Sequence, residues 1–290
     1  MHPAVLEPFT ARDGENLALY GWDAENESDR TDLRSLRGVV VLVHGLGEHA
    51  GRYAHVVAKL QEWSFAVRAY DQRGHGESGG ARGGLPTDST LLNDLAEVVD
   101  NTRRYFKGLP LILLGHSMGG LVAGRFVALN IRPVDGLVMS SPALDAGLGI
   151  FQKLLLAVTI RLAPKLSVSN GLDASYISHD AGVVKAYRDD RLVHAKISPR
   201  LANFIATAGP ATVAAAARWR VPTLLMYAGA DRLVNPTGSR AFAMNAAASS
   251  VVRPGLVSVK CFDGLYHEIF NELAPEPVFE MLKAWLNSRF

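Results

Sequence analysis

Six short, nearly continuous apolar runs punctuate the chain, and each ends in a residue that stops a strand. Gly38 to His44 stops at Gly45, Phe65 to Tyr70 at Asp71, and Leu111 to Leu114 at Gly115. Val134 to Met139 stops at Ser140-Ser141-Pro142, Val221 to Ala228 at Gly229, and Val257 to Phe262 at Asp263-Gly264. Runs that do not alternate with polar residues are the pattern of strands covered on both faces, as in a parallel sheet. The segments between them have helical spacing, which predicts helices over Tyr53–Trp63, Asp88–Phe106, Met118–Leu129 and Pro275–Arg289. In the second of these Leu92, Leu95, Val98, Val99 and Thr102 recur in steps of three and four; in the last, Val278, Met281, Leu282 and Trp285 form one stripe. Strand and helix in alternation predict an α/β chain built on a doubly wound, mostly parallel sheet. Near the start, Asp13-Gly14 separates Val5–Thr10 from Leu17–Trp22, which reads as an antiparallel hairpin at a sheet edge.

From Ala146 to Arg220 the rhythm breaks. No strand is obvious there, Phe151 to Ala163 is apolar nearly all round, and helix-sized pieces are separated by Pro164, Ser167–Gly171, Pro199 and Gly209-Pro210. The expected organisation is therefore one core, residues 1–145 and 221–290, with a helical insertion at 146–220. Glu25 to Arg37 is charged and reads as an exposed linker.

Composition adds mainly exclusions. At 290 residues, 48% hydrophobic and 20% charged, the chain is not disordered, collagenous or a coiled coil as a whole. Thirty basic against 28 acidic residues, with no basic block, give no electrostatic footprint for nucleic acid. The lone Cys261 cannot pair within the chain or build a thiolate metal site, and no paired-histidine metal motif occurs; no metal or cofactor is expected. Met1 to Thr10 lacks the basic and apolar regions of a secretory signal. The longest apolar stretch, Leu154 to Ala163, is interrupted by Thr159 and Arg161 and falls short of the roughly 20 residues a span needs. The expected location is cytoplasmic, with contact to a lipid surface left open.

The chemistry concentrates in Gly115-His116-Ser117-Met118-Gly119, a Gly-x-Ser-x-Gly sequence between an apolar strand and a helix. In that setting the glycines let the chain turn sharply, which presents the Ser117 hydroxyl at the sheet edge beside a helix N-terminus. A serine needs a base, and the chain order on such a sheet is serine, acid, histidine. Asp231 follows the Gly229 turn and His267 follows the last strand, so both suit that order; Asp263 is the rival acid. His2, His55, His179 and His194 read as surface or packing residues, and His44, His75 and His116, within Gly-rich motifs, as loop scaffolding. An oxyanion hole would take the amide of Met118, after the nucleophile, and that of Leu46 in the Gly45–Gly47 loop after the first long strand.

Taken together, these residues resemble the α/β-hydrolase superfamily, and more closely its monoacylglycerol lipase-like serine hydrolases. The resemblance is carried by His44-Gly45-Leu46-Gly47-Glu48-His49 with Arg52-Tyr53, by Asp71-Gln72-Arg73-Gly74-His75-Gly76-Glu77-Ser78, and by the Ser117 elbow. Ser141-Pro142-Ala143-Leu144, Gly229-Ala230-Asp231-Arg232-Leu233 and Tyr266-His267-Glu268 continue it in collinear order from about residue 7 to the end. It implies ester hydrolysis through an acyl-enzyme, with a small lipid ester, most specifically a monoacylglycerol, as substrate. It also implies that residues 146–220 form a cap with an apolar tunnel, to which Ile150 and Leu154 contribute together with Leu148, Phe151, Leu155, Val158 and Ile160. Lys153, Arg161 and Lys165 beside them would meet anionic headgroups at a membrane surface. At the polar end, Glu48, Arg52, His116 and Tyr187 would bind the glycerol, although Glu48 and Arg52 could instead pair and brace the oxyanion loop. Arg191 to Gly209 lacks the cysteines of mammalian members, so thiol sensitivity is not carried over. A broader carboxylesterase or a lysophospholipase would use the same triad, with Arg188, Arg191 and Lys196 available to a phosphate. Dehalogenases and epoxide hydrolases of this fold need a carboxylate where Ser117 stands. A receptor that keeps the triad without turnover is the reading from another class. The oligomeric state is not legible.

Overall fold

The computed structural model describes residues 4–5, 9–22, 35–147, 149–250 and 254–290, with the side chains of 4–5, 150–155 and 248–250 outside that description. Most of the linker expected at Glu25–Arg37, and Leu148, thus lie outside the described residues. The elements in chain order are β1 (Ala4–Val5), β2 (Phe9–Thr10), β3 (Asn16–Leu17), β4 (Leu19–Trp22), β5 (Gly38–Val43), α1 (Ala54–Glu62), β6 (Phe65–Tyr70), α2 (Thr90–Tyr105), β7 (Leu111–His116), α3 (Met118–Ala128) and β8 (Gly136–Ser140). There follow α4 (Ile150–Leu162), β9 (Val168–Ser169), α5 (Ala181–Asp189), β10 (Lys196–Ile197), α6 (Pro199–Ala215), β11 (Thr223–Ala228), α7 (Thr237–Ser250), β12 (Val257–Phe262) and α8 (Glu276–Asn287).

Eight strands form one sheet in the order β1-β4-β6-β5-β7-β8-β11-β12. The pairs from β6 to β12 are parallel, and β4 joins β6 and β1 antiparallel. Every residue of β5, β6, β7, β8 and β11 is buried, which is why these strands lack polar alternation. Side chains on successive residues point to opposite faces. Val39, Val41 and Val43 accordingly pack in one apolar layer with Leu121, Phe126 and Phe242, and Val40 and Leu42 in the other with Val56, Leu60, Leu282 and Trp285. The Asp13-Gly14 turn does close a hairpin, β2 on β3, but as a separate two-stranded ribbon; the flanking strands β1 and β4 pair with each other at the edge of the main sheet.

The segment between β8 and β11 departs from the sequence pattern in two places. It holds a short antiparallel ribbon, β9 on β10, in a region where no strand was legible. Two residues per strand are too few to show a period. Gly209-Pro210 does not break the chain but sits inside α6. A Cβ at Gly209 would lie 2.5 Å from the Leu144 carbonyl oxygen, so this glycine serves close packing rather than a turn. Pro210 costs the helix one backbone hydrogen bond, while Leu201, Phe204, Ile205 and Ala208 bury the helix in the same layer as α3 and α7. That burial outweighs the missing bond. Helix α7 was not foreseen either. Its Ala- and Ser-rich sequence carries a weak stripe, with Phe242 and Ala246 buried and Met244 exposed. Among the described residues no helix is long and apolar enough to cross a membrane.

Candidate active site

The C-terminal ends of β5, β7, β11 and β12 place the candidate residues. Ser117 lies between β7 and α3 at φ 53° and ψ −121°, a conformation that residues other than glycine seldom adopt. Its backbone is over-determined: its N–H donates to Ser140 O at 2.9 Å, and its carbonyl accepts from Leu121 N and Ala143 N, both at 3.0 Å. The elbow also needs its glycines. A Cβ at Gly115 would sit 2.4 Å from Gly119 O, and one at Gly119 would sit 2.1 Å from Val43 O. Removing those two side chains lets α3 start against the end of β5, leaving the Ser117 hydroxyl beside the first turn of the helix.

His267 and Asp231 meet after β12 and β11. Asp231 Oδ2 lies 2.7 Å from His267 Nδ1, and its Oδ1 accepts from Leu233 N and Val234 N, each at 2.9 Å. Burial pushes the Asp231 pKa up, but His267 and the two amides outweigh it and the net direction is down. Burial pushes His267 down; Asp231 outweighs it and the net direction is up. Asp263, the rival acid, instead accepts from Cys261 Sγ at 3.2 Å. Ser117 and His267 both line a cavity of about 280 Å³.

The loop after β5 closes over the serine. A Cβ at Gly45 would come within 2.7 Å of Glu48 Oε1 and 3.2 Å of Ser117 Cβ, so a side chain there would crowd both the serine and the carboxylate that holds the loop. Leu46 lines the cavity, and Met118, buried, follows Ser117 at the start of α3. His44 is fully buried and neutral, its pKa lowered by burial. Its Nε2 accepts from Gln72 N at 2.8 Å, which leaves Nδ1 to donate to Gly45 O at 2.8 Å. Asp71 accepts from Ala50 N, Glu77 N and Tyr20 Oη, all at 2.8 Å. The Asp71–Ser78 motif is thus a buried frame under the loop.

Glu48, His116 and Tyr187 line the same cavity; Arg52, expected there too, is not part of its wall but contacts the lining residues Glu48 and Tyr187. Glu48 Oε1 accepts from Gly45 N and, at 2.6 Å, from Tyr53 Oη, while Oε2 accepts from Arg52 Nη1 at 2.6 Å. Burial opposes its ionisation, yet Arg52, followed by smaller electrostatic and hydrogen-bond contributions, holds its pKa below the ordinary carboxylate range. The Arg52 guanidinium covers the Tyr187 ring at 4.7 Å. His116 bonds Ser140 Oγ through Nδ1 at 3.1 Å, and its ring lies 4.7 Å from that of His267. Burial, and then His267, push its pKa to about 3, so it is neutral. Ile150 and Leu154 fall in α4, but their side chains lie outside the described residues.

Sequence reasoning assigned no role to several neighbours. Glu268 lines the cavity and binds Arg52 through both oxygens, at 2.6 and 2.8 Å. It stands next to His267 in a motif, but nothing local marks its partner. His194, read as surface or packing, donates its N–H to Gly47 O at 2.8 Å and joins Leu172, Ile177, Val193 and Leu233 in the lining. All of these except Glu268 and Leu233 come from the segment between β8 and β11, where the sequence pattern is weakest.

Residues 34–274 match the serine aminopeptidase S33 family. The chain is 36% identical to the monoacylglycerol lipase of Mycolicibacterium smegmatis over 87% of its own length and 89% of that protein's. It is 32% identical to the phospholipase YtpA of Bacillus subtilis, over 85% of this chain and 94% of the other. The crystal structure of Paleococcus ferrophilus monoacylglycerol lipase superposes with a TM-score of 0.80 at 33% identity, over 95% of this chain and 99% of that one. The chain therefore belongs to the serine aminopeptidase S33 family, on an α/β-hydrolase fold, and is an ester-cleaving serine hydrolase among relatives named as monoacylglycerol lipases.

Proposed function

We propose that this protein hydrolyses monoacylglycerols to a fatty acid and glycerol, with Ser117, His267 and Asp231 as catalytic residues. The observation that carries the reading is one cavity with Ser117 and His267 in its wall and Glu48, Glu268 and Tyr187 beside them. His267 Nε2 takes the proton of Ser117 Oγ as that oxygen attacks the ester carbonyl. Asp231 holds the imidazole with its proton on Nδ1 and stabilises the imidazolium. Leu46 N–H and Met118 N–H receive the oxyanion. Collapse of the tetrahedral intermediate breaks the ester bond, His267 returns the proton to glycerol, and an acyl-Ser117 ester remains. Water then attacks that ester as His267 takes its proton; the second intermediate collapses, His267 returns the proton to Ser117 Oγ, and the fatty acid leaves.

Tyr187 and Glu48, which line the cavity, offer the hydrogen bonds that select a polyol. Leu172, Ile177, Val193 and Leu233 suit the acyl chain. An aminopeptidase would need a free carboxylate for its substrate's ammonium group, and both carboxylates lining the cavity are bound to Arg52. Residues 146–220 act as the lid. Val158, Leu162, Leu166 and Val168 are exposed on it beside Arg161 and Lys165, a composition suited to a lipid surface.

The test is kcat/KM at fixed acyl length for a monoacylglycerol, the diacylglycerol, lysophosphatidylcholine and a methyl ester. At least tenfold preference for the monoacylglycerol is expected. Arg188, which also lines the cavity, favours a lysophospholipase as the second reading. A profile led by the lysolipid would replace the first reading with the second, and a flat profile would reduce both to a general esterase.

A further inference from the structure

We infer that Glu268 and Arg52 are positioning residues that fix the catalytic histidine loop against the oxyanion loop, with Glu48 as the link between them. The inference rests on the triad proposed above. It concerns residues that touch neither the scissile bond nor its oxyanion.

The path is short and continuous. Glu268 is the residue after His267. Its carboxylate grips Arg52 through Nη1 at 2.6 Å and Nη2 at 2.8 Å, and the same Nη1 reaches Glu48 Oε2 at 2.6 Å. Glu48 Oε1 then captures the Gly45 N–H. Gly45 is held on its other side as well, because its carbonyl accepts from His44 Nδ1 at 2.8 Å. The Gly45–Leu46 peptide is trans. With its C=O turned toward His44, its N–H must point the opposite way. Glu48 and His44 together thus set the direction of the Leu46 N–H, which is the proposed oxyanion donor. The tie between the two loops spans 216 residues of sequence, so no local turn can replace it.

Further bonds lock the clamp's histidine side. Glu268 N–H donates to Ile177 O at 2.8 Å, and Asn271 Nδ2 donates to Glu268 Oε2 at 2.8 Å. The Arg52, Glu48 and Glu268 side chains are only 10%, 4% and 6% exposed. Burying three charges is a poor route to stability, since desolvation offsets most of the attraction. Its geometric product is a bidentate fork that admits one relative placement of the two loops.

The experiment compares Glu268→Gln with wild type on a monoacylglycerol and on the methyl ester of the same acid. Glutamine keeps the shape and loses the charge and one acceptor. Fluorophosphonate titration counts the folded, competent enzyme in each sample. For Glu268→Gln kcat should fall 10- to 100-fold on both esters equally, with KM within threefold. Affinity for a trifluoromethyl ketone, which mimics the oxyanion, should fall by the same factor. Combining Glu268→Gln with Glu48→Gln should cost little more than the worse single change, because both break one chain.

Loss on the glyceryl ester alone would overturn the inference and make Glu268 a headgroup contact. So would a kcat loss with unchanged ketone affinity, or strictly additive single effects. Because the methyl ester carries the test, a wild type that shows no glyceryl preference sinks the substrate proposal and leaves the clamp to be judged. Full turnover by Ser117→Ala sinks the triad and with it the clamp.

Discussion

Replacing Asp231 by asparagine should inactivate the enzyme through the tautomer of His267 rather than through loss of fold. Asp231 Oδ1 accepts two backbone N–H groups, from Leu233 and Val234, at 2.9 Å each. The asparagine oxygen must take that place, because an NH2 group there would face two donors. Its NH2 then faces His267 Nδ1, where the carboxylate stood at 2.7 Å. Nδ1 can accept that bond only if the imidazole proton moves to Nε2. The nitrogen turned toward Ser117 then carries a proton and cannot take another. The expected loss in kcat is about 10,000-fold, the magnitude of the same error in trypsin-like enzymes, or about 5.4 kcal/mol in the barrier. Stability should change by only about 1 kcal/mol, since volume and both amide bonds are kept. The assay is turnover of a soluble chromogenic ester, corrected by active-site titration, across pH 5 to 9. Loss of the anion also removes the influence that raises the His267 pKa, so the acid limb of the residual activity should move to lower pH. Activity within tenfold of wild type, or an acid limb that stays in place, would refute this account of Asp231.

Four more outcomes follow from the geometry. In wild type, kcat/KM should rise with pH through a limb centred above the ordinary imidazole value of roughly 6.5, because His267 is raised and must be neutral to act. The same raised pKa adds stability that is fully present below the unfolded value and is lost as pH rises through the folded one, readable as Tm against pH. Ser117→Gly should abolish turnover yet raise stability by about 1–2 kcal/mol, since glycine adopts φ 53° without strain; a lower Tm would mean the elbow is unstrained. Leu162 is 81% exposed on α4, so Leu162→Asp should weaken sedimentation with anionic vesicles while leaving kcat on a soluble ester unchanged, and unaltered sedimentation would remove α4 from the lipid surface.

How far the sequence could be read follows from the range of each signal. β5, β6, β7 and β11 announce themselves because burial on both faces leaves few polar residues to obscure them: none in β5, and one each in β6 (Arg68), β7 (His116) and β11 (Thr223). Ser117 is legible because its turn constrains five consecutive positions at once. Asp231 and His267 are placed by chain order, and Asp263, only four residues before His267, reads as a turn residue; in the structure it is Asp231 that bonds His267, while Asp263 bonds Cys261. α7 stayed hidden because alanine and serine fit helices and turns alike. Gly209-Pro210 misled because a close approach to Leu144 and a turn demand the same residue. Pairing of Glu48 with Arg52 is one of the two readings the sequence offers for them, and the structure makes that pair, but Glu268 completes that group from the far end of the chain. No periodicity reports such a meeting.

The molecule concentrates its unfavourable features at one edge of the sheet. Ser117 holds a strained backbone, and within the same region Glu48, Arg52 and Glu268 hold buried charge. Strain of this kind costs about 1–3 kcal/mol, and a buried ion cluster of this type gives little net return. Apolar substitutes at all three charged positions could match or exceed its stability. They could not capture the Gly45 N–H, because no hydrocarbon accepts a hydrogen bond. The loop would then be free to turn its peptide planes, and Leu46 N–H would lose its direction. The two apolar layers on either side of the sheet supply the surplus that makes such a site tolerable. The charges are best understood as geometry at the catalytic edge, maintained by the hydrophobic core beneath it.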